Sequence, residues 1–159
     1  MSMNTHYLTS LFTPESVALF GASSKTDSVG GVVFHNLLNS AYRGRVYAIN
    51  PGHKEVQGQK AYSSLDDIEA RVDLAVVATP ARSIPAIVEA CGERGIKMML
   101  ILSAGFRETG AQGRRLEDRV TQLVSRYGIR LMGPNCLGII RPDTGLNITF
   151  GNNTAQPGN

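Results

Sequence analysis

Ser16-Val17-Ala18-Leu19-Phe20-Gly21-Ala22-Ser23-Ser24-Lys25-Thr26-Asp27-Ser28-Val29-Gly30-Gly31 runs from a short apolar stretch into a loop of glycines and hydroxyls. Beyond it, Val32, Val33, Phe34, Leu37 and Leu38 recur at helical spacing, so the segment reads as strand, loop and helix. Glycines and small hydroxyls let backbone amides approach a phosphate at a helix N-terminus, where the helix dipole also favours negative charge. A plain surface loop of turn-forming residues fits the same stretch equally well. The loop carries neither G-x-G-x-x-G nor G-x-x-x-x-G-K-[ST], because Lys25-Thr26 lacks the preceding glycine.

Outward from this unit the pattern repeats. Arg45 to Ile49 reads as a second strand, stopped by Asn50-Pro51-Gly52. Ser64, with Asp67 three residues on, predicts a short capped helix. Leu74 to Ala78 is a buried-type strand, followed beyond Thr79-Pro80 by a helix with Ile84, Ile87, Val88 and Cys91 on one face, which Gly95 ends. Met98 to Leu102 is the next strand. Ser103-Ala104-Gly105-Phe106 then leads into a helix with Leu116, Val120, Leu123, Val124 and Tyr127 on one face, stopped by Gly128. Arg130 to Met132 starts another strand before Gly133-Pro134-Asn135-Cys136-Leu137-Gly138, and Leu146 to Phe150 is expected to add a last edge strand. Near-continuous apolar strands alternating with helices imply an α/β fold, a Rossmann-like, mainly parallel sheet with helices on both faces. Such a sheet collects its ligand at the carboxyl ends of its strands. Residues 1–150 are expected to form this domain, and 151–159 a linker or the truncated start of a following domain.

Composition narrows the function classes. The chain has 159 residues, 42% hydrophobic and 18% charged, which suits one core and argues against disorder. No apolar run is long enough to span a bilayer, and the polar start Met1 to His6 lacks a secretory apolar core, so a cytoplasmic location and no membrane partner are expected. Cys91 and Cys136 lie far apart without C-x-x-C spacing, and His6, His35 and His53 are scattered, which opposes a disulfide framework or a metal site. The formal charge of +3 comes from dispersed residues. About fifteen residues precede the first strand, too few for a helix-turn-helix unit, so no nucleic-acid partner is expected.

The end of the second strand discriminates among nucleotides. An NAD-binding unit usually places an acid there to hydrogen-bond the adenosine ribose. Here Asn50 and Pro51 are followed by His53 and Lys54. An ammonium attracts a ribose phosphate where a carboxylate repels it, and coenzyme A carries a 3′-phosphate on that ribose. A solvated loop lysine is the other reading of Lys54.

Taken together, Leu11 to Ala18, Gly21 to Gly30, Val46 to Pro51, Val72 to Val76, Ser103 to Phe106 and Gly133 to Gly138 resemble, in order and spacing, the CoA-binding domain of NDP-forming acyl-CoA synthetases, relatives of the succinyl-CoA synthetase alpha chain. The start, His6-Tyr7-Leu8 through Ser23, is similar to long bacterial proteins that fuse such a body to a GNAT lysine acetyltransferase. The resemblance implies a domain that binds CoA or acyl-CoA, with the remaining synthetase domains of a parent protein as partners. Gly21, Ser23, Ser24 and Gly30 would contact the CoA phosphates. Asn50, Pro51 and Lys54 would lie by the adenosine, Thr79, Pro80, Ser103, Ala104 and Gly105 along the groove, and Asn135 and Cys136 toward the thiol. In such relatives a second domain bears a transiently phosphorylated histidine. The chain alone is therefore expected to bind CoA without catalysing acyl transfer, with no catalytic residue of its own.

Cys136 has a sharper reading as an acyl-carrying nucleophile, but no histidine stands near it in sequence to activate the thiol. The favoured reading is a small residue shaping a turn, and Cys91 reads as core. Arg107, Glu108, Arg114, Arg115, Glu117 and Asp118 read as a solvated helix and its approach. Gly30 is expected to admit the pyrophosphate, so that Gly30→Val loses CoA in a folded domain. The competing function is an NAD(H)-binding redox-sensing regulatory domain; a free-standing NAD-dependent oxidoreductase is opposed by the missing fingerprint.

Overall fold

All five residues of the first strand, β1 (Ser16–Phe20), are buried, so both of its faces need cover. The computed structural model, which describes residues 6–152 and 155–158, supplies that cover from two layers. Before β1 comes a short helix, α1 (Tyr7–Phe12), and after it α2 (Val29–Asn39), β2 (Arg45–Ile49), β3 (Glu55–Val56) and β4 (Gln59–Tyr62). Then follow β5 (Leu74–Val77), α3 (Ile84–Glu93), β6 (Met98–Ile101), α4 (Ala111–Tyr127), β7 (Arg130–Met132), β8 (Gly138–Arg141) and β9 (Leu146–Thr149).

The main sheet has the order β3-β4-β2-β1-β5-β6-β7, with every pairing parallel except β3 with β4. Because side chains alternate along a strand, Ala18 and Phe20 of β1 join one core with Ile84, Val88 and Cys91 of α3 and Val120 and Leu123 of α4. Val17 and Leu19 join the other, with Leu11 of α1, Val33, Phe34 and Leu37 of α2, and Leu146 and Ile148 of β9. The helix faces and strands expected from the periodicity are all present, and Gly128 closes α4 in the left-handed region at φ 64°.

Two features depart from the sequence reading and one adds to it. Leu146 to Phe150 does not extend the main sheet: β9 pairs antiparallel with β8 in a separate ribbon. The chain turns away at Gly133, Asn135 and Gly138, all at positive φ, and lays the ribbon on α2, where Asn36 Nδ2 donates to Thr149 O at 2.8 Å. The segment after Lys54, which the sequence reading leaves unassigned, forms the β3–β4 hairpin. The capped helix after Ser64 is a single 3-10 turn, Leu65–Asp67, in which the Asp67 carboxylate accepts from Ser64 N–H at 3.1 Å. In the tail, residues 151, 152 and 155–158 have no regular secondary structure. Met1 to Thr5, Asn153, Thr154 and Asn159 lie outside the described residues, and with them parts of the expectations about the start and the linker.

The strand order reverses direction at β1, with β2 on one side and β5 on the other. Loops leaving β1 and β5 therefore part at the carboxyl edge of the sheet and open a crevice there. What brings α2 close to that crevice is Gly30: it is buried, and a Cβ there would run into the Gly21 carbonyl. The missing side chain of Gly30 thus makes room for the chain's own backbone. Gly30→Ala or Gly30→Val must push α2 off β1, so a loss of about 3 kcal/mol is expected in a denaturant unfolding curve. A loss under about 0.5 kcal/mol would show that the helix moves freely there.

Candidate functional site

The loop between β1 and α2 is shaped by its own hydroxyls. Ser23 Oγ accepts from Lys25 N–H at 3.0 Å, and Ser28 Oγ donates to Lys25 O at 2.9 Å. Ser28 is also the N-cap of α2, accepting from Gly31 N–H at 3.0 Å, which satisfies one of the helix's free amides. Among the described residues, the amides of Val29 and Gly30 have no hydrogen-bond partner. The loop thus ends in a helix N-terminus with donors to spare, beside the switch point of the sheet.

The second loop is tied to the first. Asn50 Nδ2 donates to Ala22 O at 2.8 Å, while Asn50 Oδ1 accepts from Gly52 N–H at 2.8 Å. Both ends of that side chain therefore hold backbone, and Asn50 builds the site's frame. Pro51 and Lys54 are exposed beside it. Lys54 O accepts from Ala61 N–H at 2.9 Å, which fixes its backbone to β4 and leaves the side chain in solvent. Across the hairpin turn, Gln57 Nε2 donates to Ser23 O at 2.8 Å and to Gly31 O at 2.9 Å. Gln57 N–H also donates to Ser24 Oγ at 3.1 Å. A cavity of about 510 Å³ opens on this flank, bordered by Ser24, Thr26, Gly31, Asn36 and Gln57.

On the other side of the crevice, Ser103 Oγ donates to Thr79 O at 2.6 Å, joining the loops after β5 and β6. Asn135 N–H donates to Ser103 O at 3.0 Å, so the loop after β7 joins them too. Asn135 is exposed at φ 56°, and it is its backbone, not its side-chain amide, that fixes the loop. Thr79 is half-buried, and Pro80 and Ala104 are exposed. The carboxylate of Glu108 accepts from the amides of Gly105 and Phe106. The Gly105 amide first, then those of Glu108 itself and Phe106, hold its carboxyl below the usual range. Arg107 pairs with Glu117 at 2.9 Å, and both Arg107 and Glu108 are exposed, as the reading of a solvated approach expects.

Cys136 is half-buried, with its Sγ donating to Ile101 O at 3.3 Å. Burial pushes its thiol up, with the Gly138 and Cys136 amides opposing, so at neutral pH it is a protonated thiol and a poor nucleophile. Burial pushes Cys91, packed in the core, up to about 12. His35 and His53 are exposed, on α2 and in the second loop, and His6 caps α1.

The structure brings Gly21, Ser23, Ser24, Gly30, Asn50, Thr79, Ser103 and Asn135 to one edge of the sheet on five loops, the first two bonded to each other and the last three to one another. Sequence reading missed Gln57 and Glu108. A glutamine-glycine pair between two short strand-like stretches was the available signal for a hairpin turn at Gln57. A carboxylate three residues after Gly105 was the signal for Glu108.

Residues 15–142 match the CoA binding domain family. Subunit alpha of the ADP-forming acetate–CoA ligase I of Pyrococcus furiosus is 38% identical over 155 residues, spanning 95% of this chain and 34% of that subunit. The ADP-forming acetate–CoA ligase of Methanocaldococcus jannaschii is 42% identical over 137 residues, 86% of this chain and 19% of the ligase. The structure of the dinucleotide-forming acetyl-coenzyme A synthetase 1 of Ca. Korarchaeum cryptofilum, in complex with phosphate and ADP, superposes with a TM-score of 0.84 at 35% identity. It aligns with 91% of this chain and 31% of its own length. The chain spans about a third or less of these relatives. With the match running from just before β1 through β8, the chain belongs to the CoA binding domain family and is homologous to part of the ADP-forming acetate–CoA ligases.

Proposed function

We propose that this domain binds CoA or an acyl-CoA along the carboxyl edge of its sheet and presents the thiol end to chemistry carried out by other domains of an NDP-forming acyl-CoA synthetase. The observation that carries the proposal is the N-terminus of α2, whose Val29 and Gly30 amides are unpartnered among the described residues, at the end of the loop that leaves the switch-point strand β1. Amides and dipole together suit a pyrophosphate. Lys54, exposed on the neighbouring loop, is the cation for the 3′-phosphate. Ser103, Gly105, Asn135 and Cys136 line the way to the thiol, which Cys136 meets as a neutral neighbour. In a parent fused to a GNAT transferase, the same groove would report acyl-CoA to the acetylation of lysines.

Calorimetric titration with CoA, dephospho-CoA, acetyl-CoA and NADH tests this reading. CoA is expected to bind more tightly than dephospho-CoA by about 1–3 kcal/mol, the scale of a charged hydrogen bond, and added salt should narrow the gap. Equal affinities would remove Lys54 from the site. Tight NADH binding with no response to CoA would replace the proposal with the NAD(H)-binding alternative.

Supplied with acetate, ATP or ADP, phosphate, magnesium and CoA, the chain alone is expected to form no acetyl-CoA. Such chemistry needs a residue to carry phosphate and a metal-bound nucleotide beside the thiol. His35 and His53 sit on α2 and in the second loop, and Cys136 is held protonated. Reproducible acetyl-CoA formation by the purified chain would overturn this, and Cys136→Ala would then be the next variant to make.

A further inference from the structure

Gln57 occupies a position that costs it conformational ease. It is the first residue of the two-residue turn between β3 and β4, at φ 48° with Gly58 at φ 77°. A turn with positive φ at both central residues favours asparagine, aspartate or glycine at its first position. What the glutamine contributes is reach. Both protons of its side-chain amide are committed, one to Ser23 O and one to Gly31 O, and its backbone N–H is given to Ser24 Oγ. Three bonds from one residue thus clamp the start of the glycine-rich loop and the first turn of α2, parts of the chain 26 to 34 positions away. Because Ser24 Oγ accepts from Gln57, its own O–H stays available to donate outward.

We infer that Gln57 is a positioning residue for the phosphate-facing loop: the β3–β4 hairpin, which follows directly on Lys54, latches that loop so that its amides and the Ser24 hydroxyl are preorganised for the pyrophosphate. The inference rests on the CoA reading above and deepens it. Lys54 and Gln57 act through one hairpin on two different phosphate groups. Without the latch, the loop has to be ordered at the moment of binding, and affinity falls by that cost.

Gln57→Asn separates this role from a merely structural one. Asparagine suits the turn better but is one methylene too short to reach both carbonyls. Its melting temperature is expected to equal or exceed that of the parent chain, while CoA and dephospho-CoA both weaken by about tenfold, the scale of one to two lost hydrogen bonds. The equal loss for the two ligands matters, because a defect at the 3′-phosphate would spare dephospho-CoA. Gln57→Glu, which sets a carboxylate against the two carbonyls, is expected to lose more than Gln57→Asn. Unchanged CoA affinity in both variants, or a loss confined to CoA, would overturn the inference, as would a loss of affinity matched by a falling melting temperature. Hydrogen exchange on the ligand-free proteins tests the latch separately: the Lys25 and Gly31 amides should exchange faster in Gln57→Asn. If the parent chain binds no CoA, the CoA reading fails. Equal exchange in the two proteins sinks the latch itself, whatever the ligand.

Discussion

The backbone of α2 at Gly30 lies against the carbonyl of Gly21, with no room for a side chain between them, and the geometry of the whole carboxyl edge follows from that approach. A helix held so close to the end of β1 starts beside the point where the strand order reverses, with the Val29 and Gly30 amides unpartnered among the described residues. The same approach fixes the length and course of the loop between them. Only then can Ser28 cap the helix while also donating back to Lys25 O. A bulkier residue at position 30 would move the helix, and with it the donors at its N-terminus.

Around that contact, the loops hold one another by side chain to backbone hydrogen bonds. Asn50 binds the first loop to the second, Gln57 binds the hairpin to the first loop, and Ser103 binds the loop after β6 to that after β5, while a backbone bond from Asn135 N–H to Ser103 O adds the loop after β7. Each bond satisfies a carbonyl that the sheet edge would otherwise leave open, so the crevice is preorganised before any ligand arrives. Preorganisation lowers the ordering cost of binding. Asn50 spends both ends of its amide on backbone, and the missing side chain of Gly30 makes way for backbone, so both shape the edge.

The chemistry around Cys136 and Glu108 is quiet. Cys136 gives its proton to Ile101 O and is held protonated by burial, while the Glu108 carboxylate rests on the Gly105 and Phe106 amides and is held ionised by them. One group is kept neutral and the other charged by the same loop edge, and neither is poised to exchange a proton at neutral pH. That arrangement agrees with the proposed role, in which the domain holds a ligand and supplies no reactive group of its own.

The fold was legible in the sequence because it rests on local patterns. The apolar runs of β1, β5 and β6, the helical stripes of α3 and α4, and the stop at Gly128 each express a period or a turn preference that neighbouring residues impose on one another. Family membership was legible from the order and spacing of six short motifs, from Leu11 to Gly138. What the sequence alone could not decide were contacts between residues far apart in the chain. That Gly30 meets Gly21 O, that Gln57 reaches Ser23 and Gly31, and that β9 leaves the main sheet to pair with β8 over α2 depend on where the packed layers set each backbone. Hydrogen bonds and close approaches act over a few ångströms in space, and only the tertiary structure determines which distant residues come within that range.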